Sequence, residues 1–450
     1  MSVQPARRIA LDVILAVRDS DAYANLLLPV RLGRAKLSDA DAGLATELTY
    51  GTLRMQGYYD RVIALAANRP VEQIDPPVLD VLRLACHQIL SMRIPAHAAV
   101  DESVELVRSV ASRSAVGFAN GVLRTITRTD ADTWRERVLA TAGSGEERLA
   151  IEYSHPLWVT RAFRQVLVAE GREAELEQLL VADNVAPRVS LTALPGFAEP
   201  EGYTTEFSPV GMVLDGGDPL RVPGVREGRV RVQDEGSALA ALALSRARPI
   251  VPGERWLDLC AGPGGKAALL AAEAAIGGAT LTANELVPAR AELVRKALAV
   301  FATPPEVLES DGTTIGERFP DSFDRILLDA PCTGLGALRR RPEARWRKQP
   351  SDVAGLGALQ AKLLGSALDA LKPGGVLAYV TCSPHAAETK AIVASTLRTR
   401  TDVERLDTPA VLQSIVKTPL DLPEASHVQL WPHRHGTDAM FIQLLTKVEA

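Results

Sequence analysis

Cysteine and long apolar runs are scarce in this sequence of 450 residues, and its charges nearly cancel. The four cysteines (Cys86, Cys260, Cys332 and Cys382) are too few and too widely spaced for a disulfide scaffold or a paired zinc motif. We therefore expect a reducing, cytoplasmic location and no bound metal. No run of about 18 uncharged apolar residues is present, which argues against a membrane span. Lys and Arg number 50 against 55 Asp and Glu, so a nucleic-acid partner would need a local basic patch.

The remaining composition is that of a globular protein, with 47% hydrophobic and 23% charged residues, and the length suits two or three domains. Apolar residues between 1 and 140 recur at helical spacing. Val78, Val81, Leu82 and Ala85, for example, share one helix face. Residues 1–140 are therefore predicted to form a separate, all-α helical bundle.

Two changes of pattern follow the helical region. Residues 141–150 resemble a flexible joint, 157–183 are again helical, and Gly and Pro become frequent from Pro187 to about Gly228. Residues 141–245 are therefore predicted to form a linker and a small α+β connector. Between residues 246 and 450, short apolar runs alternate with helical stretches; the runs are 255–260, 279–284, 305–310, 324–329 and 375–381. This alternation predicts an α/β, Rossmann-like core whose mainly parallel, doubly wound sheet binds ligands beyond the carboxyl ends of its strands.

A glycine-rich turn follows the first predicted strand of this core. Its sequence, Ala261-Gly-Pro-Gly-Gly-Lys266, leads into a helix, so the backbone can approach a ligand at the helix N-terminus. A P-loop would need Gly at 260 and Ser or Thr at 267, where the chain has Cys260 and Ala267. The dinucleotide fingerprint is met only in its looser form, which ends in Ala. A third ligand that such a turn can bind is S-adenosylmethionine (AdoMet), which has no phosphate group.

Carboxylates after the successive strands favour AdoMet. Glu285 ends the second predicted strand, near the offset of about 20 residues at which a carboxylate can accept both ribose hydroxyls. Asp311 ends the third, where an adenine amino group could be held, and Asp329 ends the fourth. A positively charged sulfonium suits such an acidic edge better than a pyrophosphate does. AdoMet is therefore the predicted cofactor.

Two cysteines follow neighbouring predicted strands. Cys332 comes three residues after Asp329, and Cys382 follows Thr381, 50 residues further on, which leaves room for one crossover helix. Adjacent strands lie about 4.8 Å apart, so both thiols can face one pocket. Cys86, on an apolar helix stripe, is instead expected to be a small core residue.

A thiolate beside AdoMet has a specific chemical use. Carbon 5 of a pyrimidine is a poor nucleophile, but addition of a thiolate to carbon 6 gives an enamine-like intermediate whose carbon 5 can attack a sulfonium methyl group. An acid must then stabilise the charge at ring nitrogen 3, and the spacing places Asp329 for that role. Loss of the carbon 5 proton expels the thiol.

These residues resemble a known family. Four segments are similar to motifs of the Nol/Nop/Sun family of RNA 5-cytosine methyltransferases: Cys260-Ala-Gly-Pro-Gly-Gly-Lys266, Asp329-Ala-Pro-Cys-Thr-Gly-Leu-Gly336, Arg341-Pro-Glu-Ala-Arg-Trp346 and Thr381-Cys-Ser383. The likeness extends over about residues 230–445. Tyr50-Gly-Thr-Leu-Arg54 and Phe118-Ala-Asn-Gly-Val-Leu-Arg124 resemble a NusB-like RNA-binding domain. The combination is similar to family members that methylate cytosine in small-subunit (16S) ribosomal RNA.

The resemblance implies a role for each motif residue. Cys382 would be the catalytic nucleophile, Cys332 would assist release of the methylated RNA, and Asp329 would face both base and cofactor. The AdoMet-binding residues would be Cys260, Ala261, Gly262, Pro263, Gly264, Gly265, Lys266, Glu285, Arg290, Asp311 and Asp329. After Thr-Cys-Ser the family often has a Glu-Glu-Asn run, of which Ala387-Glu388-Thr389 keeps one residue.

A basic segment follows the Cys332 loop directly, and its position favours contact with an RNA backbone. Its predicted RNA-binding residues are Arg339, Arg340, Arg341, Arg345, Arg347 and Lys348.

The sequence thus predicts an AdoMet-dependent enzyme that makes 5-methylcytosine in RNA, acts as a monomer and binds neither membrane nor metal. Two alternatives stay open. The chain could be an RNA-binding assembly or antitermination factor without catalysis, or the same chemistry could act on another RNA such as tRNA. A third possibility, a small molecule or a protein as methyl acceptor, is disfavoured by the basic segment and the helical region.

Overall fold

The computed structural model describes residues 3–20, 22–92 and 94–448, which fall into two compact units. The first unit comprises residues 1–164, 174–185 and 338–347, and the second comprises 165–173, 186–337 and 348–450. The chain therefore leaves the second unit after Ala337, contributes ten residues to the first, and returns at Lys348. No helix in the part of the chain that the structure describes is long and apolar enough to cross a membrane.

Helices make up the described part of the chain up to residue 182, apart from short connections. They are α1 (Pro5–Asp19), α2 (Ala24–Ala35), α3 (Asp39–Arg54), α4 (Gln56–Ala67), α5 (Pro76–Cys86), α6 (Ala96–Val110), α7 (Arg113–Thr127), α8 (Ala131–Leu139), α9 (Gly145–Glu152), α10 (Leu157–Ala169) and α11 (Leu176–Ala182). α3 begins where Ser38 accepts a hydrogen bond from Asp41 N, as an N-cap should. The predicted apolar stripe of α5 is buried, Cys86 included. The all-α prediction for this region is confirmed.

A small antiparallel sheet follows α11. It is formed by β1 (Val189–Ala193), β2 (Gly211–Leu214) and β3 (Val230–Val232), in the order β2-β1-β3. Leu191, Ala193, Met212 and Val230 form its own apolar cluster. This is the α+β character predicted from the Gly- and Pro-rich composition.

The second unit is built on a larger, eight-stranded sheet among the described residues. Its strands are β4 (Arg255–Asp258), β5 (Thr280–Asn284), β6 (Glu306–Leu308), β7 (Phe323–Asp329), β8 (Leu371–Thr381), β9 (Val403–Arg405), β10 (Val428–Gln429) and β11 (Phe441–Lys447). The order is β10-β11-β8-β7-β4-β5-β6, with β9 also paired to β11. β4 to β8 run parallel to one another, whereas β11 pairs antiparallel with β8 and with both β9 and β10.

Helices cover both faces of this sheet. They are α12 (Glu235–Ser245), α13 (Gly265–Ile276), α14 (Pro288–Leu298), α15 (Ile315–Arg318), α17 (Pro350–Ala370), α18 (Lys390–Leu397), α19 (Thr408–Ile415) and α20 (Pro432–His435); the short α16 (Ala344–Arg347) belongs to the first unit. Trp256 and Leu327 pack in one core cluster with α12 and α13. Their neighbours Leu257 and Leu328 pack with α17 in another cluster. Alternate residues of each strand are thus buried on opposite faces, as in a doubly wound fold.

The predicted α/β core is confirmed, with strands at every predicted run from residue 255 to residue 381. The antiparallel strands β9 to β11 were not predicted. They are short or follow proline-containing loops, so their alternation is hidden in the sequence.

Candidate active site

The glycine-rich turn between β4 and α13 lies close to neighbouring residues at two of its glycines. Gly264 has φ +105°, a left-handed conformation, and a Cβ there would lie 2.5 Å from Ala297 Cβ. A Cβ at Gly262 would overlap the Glu285 carboxylate. The turn therefore forms an open backbone cradle at the start of a helix, which fits close approach by a ligand.

Glu285, at the end of β5, braces this turn. Its Oε2 accepts a hydrogen bond from Gly262 N at 3.0 Å, and its Oε1 accepts one from Val287 N at 3.0 Å. Arg290 donates to Gly262 O at 2.7 Å and lies 3.6 Å from Glu285 Oε2. A carboxylate has about four acceptor positions, so Glu285 keeps acceptor capacity for ligand hydroxyls.

Asp311, at the end of β6, is exposed and caps the following turn. Its Oδ1 accepts from Thr313 N at 2.9 Å and from Thr313 Oγ1 at 2.8 Å, and these hydrogen bonds lower the pKa of Asp311. The carboxylate keeps acceptor capacity on its other oxygen, so its predicted adenine contact stays a prediction.

Lys266 and Asp329 form an ion pair at the carboxyl ends of the strands. Lys266 Nζ lies 2.8 Å from Asp329 Oδ2. Burial lowers the pKa of Lys266, but the charge and hydrogen bond of Asp329, together with smaller contributions from other nearby groups, raise it overall. The charge of a Cys382 thiolate raises it further. Since a Coulomb interaction is mutual, the Lys266 ammonium also favours the thiolate form of Cys382.

Asp258, at the end of β4, is a site residue that the sequence analysis missed. It is buried, and its Oδ1 has no hydrogen-bond partner among the described residues. Burial, together with the charge of Asp329, raises the pKa of Asp258 to about 8. A signal was available in the sequence, because Asp258 is the one acidic residue in the run 255–260, just before the glycine-rich turn.

The structure brings the thiols of Cys332 and Cys382 together. β7 and β8 pair in parallel with Asp329 opposite Val380, so the loops that leave these strands start side by side. The two sulfurs are 3.5 Å apart. A hydrogen bond with Cys382 and burial raise the pKa of Cys332 well above the usual thiol value. Cys332 therefore keeps its proton at neutral pH beside Cys382.

Gly336 fixes the far end of the Cys332 loop. Its N–H donates to Cys382 O at 2.8 Å, and its carbonyl accepts from Ala439 N at 2.8 Å. A Cβ at Gly336 would overlap the Ala439 carbonyl. The motif Cys332-Thr-Gly-Leu-Gly336 thus ends in glycine because three backbone segments meet there.

Part of the basic segment is core rather than surface. Arg345 is fully buried in the first unit, and its guanidinium donates to four oxygens: Arg54 O, Ser154 O, Asn184 Oδ1 and Asp183 O. The predicted RNA contact is wrong for Arg345, because its side chain is fully buried and its guanidinium is bonded inside the first unit.

The other basic residues of the segment differ in exposure. Arg347 donates to Val17 O and Ala22 O, and Arg339 is buried. Arg341 is exposed, whereas Arg340 and Lys348 are half-buried. Contact of these five side chains with RNA stays a prediction. Among the residues that the structure describes, no group of three or more His, Cys, Asp or Glu side chains could hold a metal ion.

The strand order and the glycine cradle after the first strand of the larger sheet define an AdoMet-dependent methyltransferase core. The family model described as 16S rRNA methyltransferase RsmB/F matches residues 248–446, and the NusB family model matches residues 4–128. The chain belongs to the RsmB/F family of methyltransferases, with a NusB-like helical region at its N-terminal side.

Relatives match over nearly the whole chain. A Mycobacterium tuberculosis (strain H37Rv) protein named as a methyltransferase, Rv1407, is 46% identical over 99% of this chain and 97% of its own length. Ribosomal RNA small subunit methyltransferase B of Pseudomonas putida is 31% identical over 99% of each chain. The crystal structure of PH0851 is similar in fold, with a TM-score of 0.82 and 22% identity over 99% of this chain and 100% of that one.

Proposed function

We propose that this protein transfers the methyl group of AdoMet to carbon 5 of a cytosine in RNA, and that the RNA is small-subunit (16S) ribosomal RNA. The observation that carries the proposal is the pair of thiols, Cys332 and Cys382, with sulfurs 3.5 Å apart at the strand ends that also hold Asp329 and Lys266. The relatives named ribosomal RNA small subunit methyltransferase B support the choice of RNA.

The residues of the turn and the strand ends fit AdoMet. We propose that the backbone from Cys260 to Lys266, braced by Glu285 and Arg290, holds the cofactor, with Asp311 and Asp329 at its edges. The buried, unpartnered Oδ1 of Asp258 adds an acceptor at the same strand ends. When bound, AdoMet supplies an electrophilic methyl group.

Cys382 is the nucleophile in this proposal. Its thiolate, favoured by the Lys266 ammonium, adds to carbon 6 of cytosine, and the electron pair of the carbon 5–carbon 6 double bond becomes available at carbon 5. Negative charge then develops at nitrogen 3 of the ring, and the Lys266 ammonium passes a proton through Asp329, which it contacts, to this nitrogen. The base is thereby activated by the chain's own side chains.

Cys332 assists release. After methyl transfer, a water molecule takes the carbon 5 proton, and the electrons of that bond form the carbon 5–carbon 6 double bond again. The bond from carbon 6 to the Cys382 sulfur breaks to give a thiolate, and nitrogen 3 returns its proton to Asp329. Cys332, a thiol at neutral pH, donates a hydrogen bond to the departing sulfur and stabilises it as it leaves.

We also propose roles for the three regions. Residues 1–140 form the NusB-like RNA-binding domain, 141–245 form the linker and connector, and 246–450 carry catalysis; the matches to the NusB and RsmB/F families support the first and the last.

The test is methylation of 16S ribosomal RNA by the purified full-length protein with labelled AdoMet, followed by mapping of 5-methylcytosine. We expect label in cytosine of this RNA and none in tRNA. Labelled tRNA alone would redirect the proposal to that substrate. RNA binding without methyl transfer would favour an assembly factor, the alternative to which the NusB match gives support.

A further inference from the structure

One buried carboxylate lies between the two cysteine loops. Glu388 is fully buried, and both of its oxygens accept hydrogen bonds. Oε1 accepts from Thr333 N at 2.8 Å and from Gln360 Nε2 at 3.3 Å. Oε2 accepts from Ser383 Oγ at 2.7 Å and from Thr333 Oγ1. Each of these neighbours donates a hydrogen bond to the carboxylate.

The donors are the residues that follow the two cysteines. Thr333 comes directly after Cys332, and Ser383 comes directly after Cys382. Their hydroxyl oxygens are also 3.1 Å apart. A single side chain thus ties the residue after one thiol to the residue after the other.

The Cys332 loop is held on both sides of its cysteine. Gln360, on α17, donates to Glu388 Oε1 and also to Pro331 O, the latter at 2.8 Å. Residues 331 and 333 are therefore both anchored, one through Gln360 and one through Glu388. The thiol between them has little freedom to move away from Cys382.

Glu388 is itself fixed by its main chain. Tyr379 OH donates to Glu388 O at 2.7 Å, and Glu388 N donates to His385 O at 2.9 Å. Tyr379 is a buried residue of β8, three positions before Cys382. The carboxylate is therefore held in a fixed position relative to β8, the strand that leads to Cys382.

We propose that Glu388 is a positioning residue that keeps the thiols of Cys332 and Cys382 in contact, so that both act on one base. The contribution of Glu388 to catalysis rests on the proposed function, whereas its effect on the contact between the two sulfurs does not.

The direct test is a dithiol probe. Phenylarsine oxide forms two arsenic–sulfur bonds with a pair of close thiols and releases one water, with no change in oxidation state. We expect the full-length protein to bind one equivalent tightly and the Cys332→Ala variant to lose this chelation. Glu388→Gln keeps the shape but replaces one acceptor oxygen by a donor, so we expect affinity for the probe to fall about tenfold, as one impaired hydrogen bond implies.

Three further measurements separate positioning from stability. Glu388→Ala should weaken the probe more than Glu388→Gln. The matched control is Glu254→Gln, which neutralises a buried carboxylate bonded to Trp256 and Arg325 at the opposite edge of the sheet; its probe affinity should equal that of the unaltered protein. In the methylation assay, Glu388→Gln should lower kcat and leave KM for RNA unchanged.

The outcomes are distinct. Unchanged probe affinity in Glu388→Gln, or an equal loss in Glu254→Gln, would overturn the positioning role, because the thiol pair would then depend only on general stability. Weakened chelation in Glu388→Gln supports it even where the unaltered protein methylates no RNA, a result that would reject the proposed function instead.

Discussion

The ammonium of Lys266 lies 2.8 Å from the carboxylate of Asp329, three residues before Cys332. Lys266 is the second residue of α13, and Asp329 is the last residue of β7. The ion pair therefore joins the end of the glycine-rich turn to the start of the Cys332 loop. Sequence reasoning assigned Lys266 to the cofactor alone. We propose a second role for Lys266, in which its charge favours the thiolate of Cys382.

Lys266→Met should raise the pKa of Cys382. Loss of a nearby opposite charge shifts a pKa by about 1 unit or more, here upward because the thiolate loses its stabilising cation. Alkylation of Cys382 by iodoacetamide, followed by peptide mass spectrometry, should therefore reach its half-maximal rate at a higher pH. The methylation rate at neutral pH should also fall, because a smaller fraction of Cys382 is then thiolate.

Lys372→Met is the matched control for Lys266→Met. Lys372 also lies 2.8 Å from an aspartate, Asp324, but at the opposite edge of the sheet. Its removal should leave the alkylation profile unchanged. An equal shift in both variants would mean that Lys266 acts only through overall charge or stability.

Cys382→Ala should abolish methyl transfer and leave AdoMet binding nearly intact, because the nucleophile is lost while the glycine turn is untouched. RNA containing 5-fluorocytosine, whose carbon 5 cannot lose a proton, should trap the unaltered protein covalently and fail to trap this variant. Cys86→Ala, in the helical core, should still be trapped. Substantial methylation by Cys382→Ala would reject it as the nucleophile.

Cys332→Ala should let a covalent protein–RNA adduct accumulate on ordinary RNA. Without the thiol 3.5 Å away, the Cys382 sulfur loses the hydrogen bond that stabilises it as it leaves carbon 6. The adduct would be seen on denaturing gels and should depend on AdoMet. If the variant turns over normally with no adduct, Cys332 has no part in release.

Gly264→Ala should weaken AdoMet binding. A residue with a side chain at φ +105° is strained by about 1–3 kcal/mol, and its Cβ would lie 2.5 Å from Ala297 Cβ, so the turn must shift. Calorimetric titration with AdoMet measures the loss. Gly253→Ala is the control, because Gly253 also has a positive φ, +87°, but precedes β4 and lies outside the glycine-rich turn. Equal AdoMet affinities in the two variants would show that the backbone conformation at Gly264 does not contribute to AdoMet binding.

The chemistry of the site could be predicted from the sequence where it depends on which residues directly follow each strand. Parallel strands joined by crossovers have their carboxyl ends at the same edge of the sheet. A cysteine after β7 and another after β8 must therefore lie close together. The position of the basic segment depends on contacts between distant residues. Arg345 bonds to Arg54 O, 291 positions away, and no local pattern distinguishes such an arginine from one that contacts RNA.

Arg345→Met should destabilise the first unit. The guanidinium is buried and hydrogen-bonded to four oxygens, and removing it leaves these acceptors unsatisfied, at a cost of about 3 kcal/mol or more. Burial also lowers the pKa of Arg345 to about 10, which leaves it charged at neutral pH. Urea unfolding, with hydrogen exchange in α3 as a local probe, measures the loss.

Arg341→Met tests the same segment at an exposed position. It should leave the unfolding free energy within about 0.5 kcal/mol of the unaltered protein, as surface substitutions usually do. If its side chain contacts a phosphate, it should also weaken RNA binding and reduce the salt dependence of that binding by about one unit of slope. Arg345→Met with unchanged stability and weakened RNA binding would restore Arg345 to the RNA interface and contradict its assignment to the core.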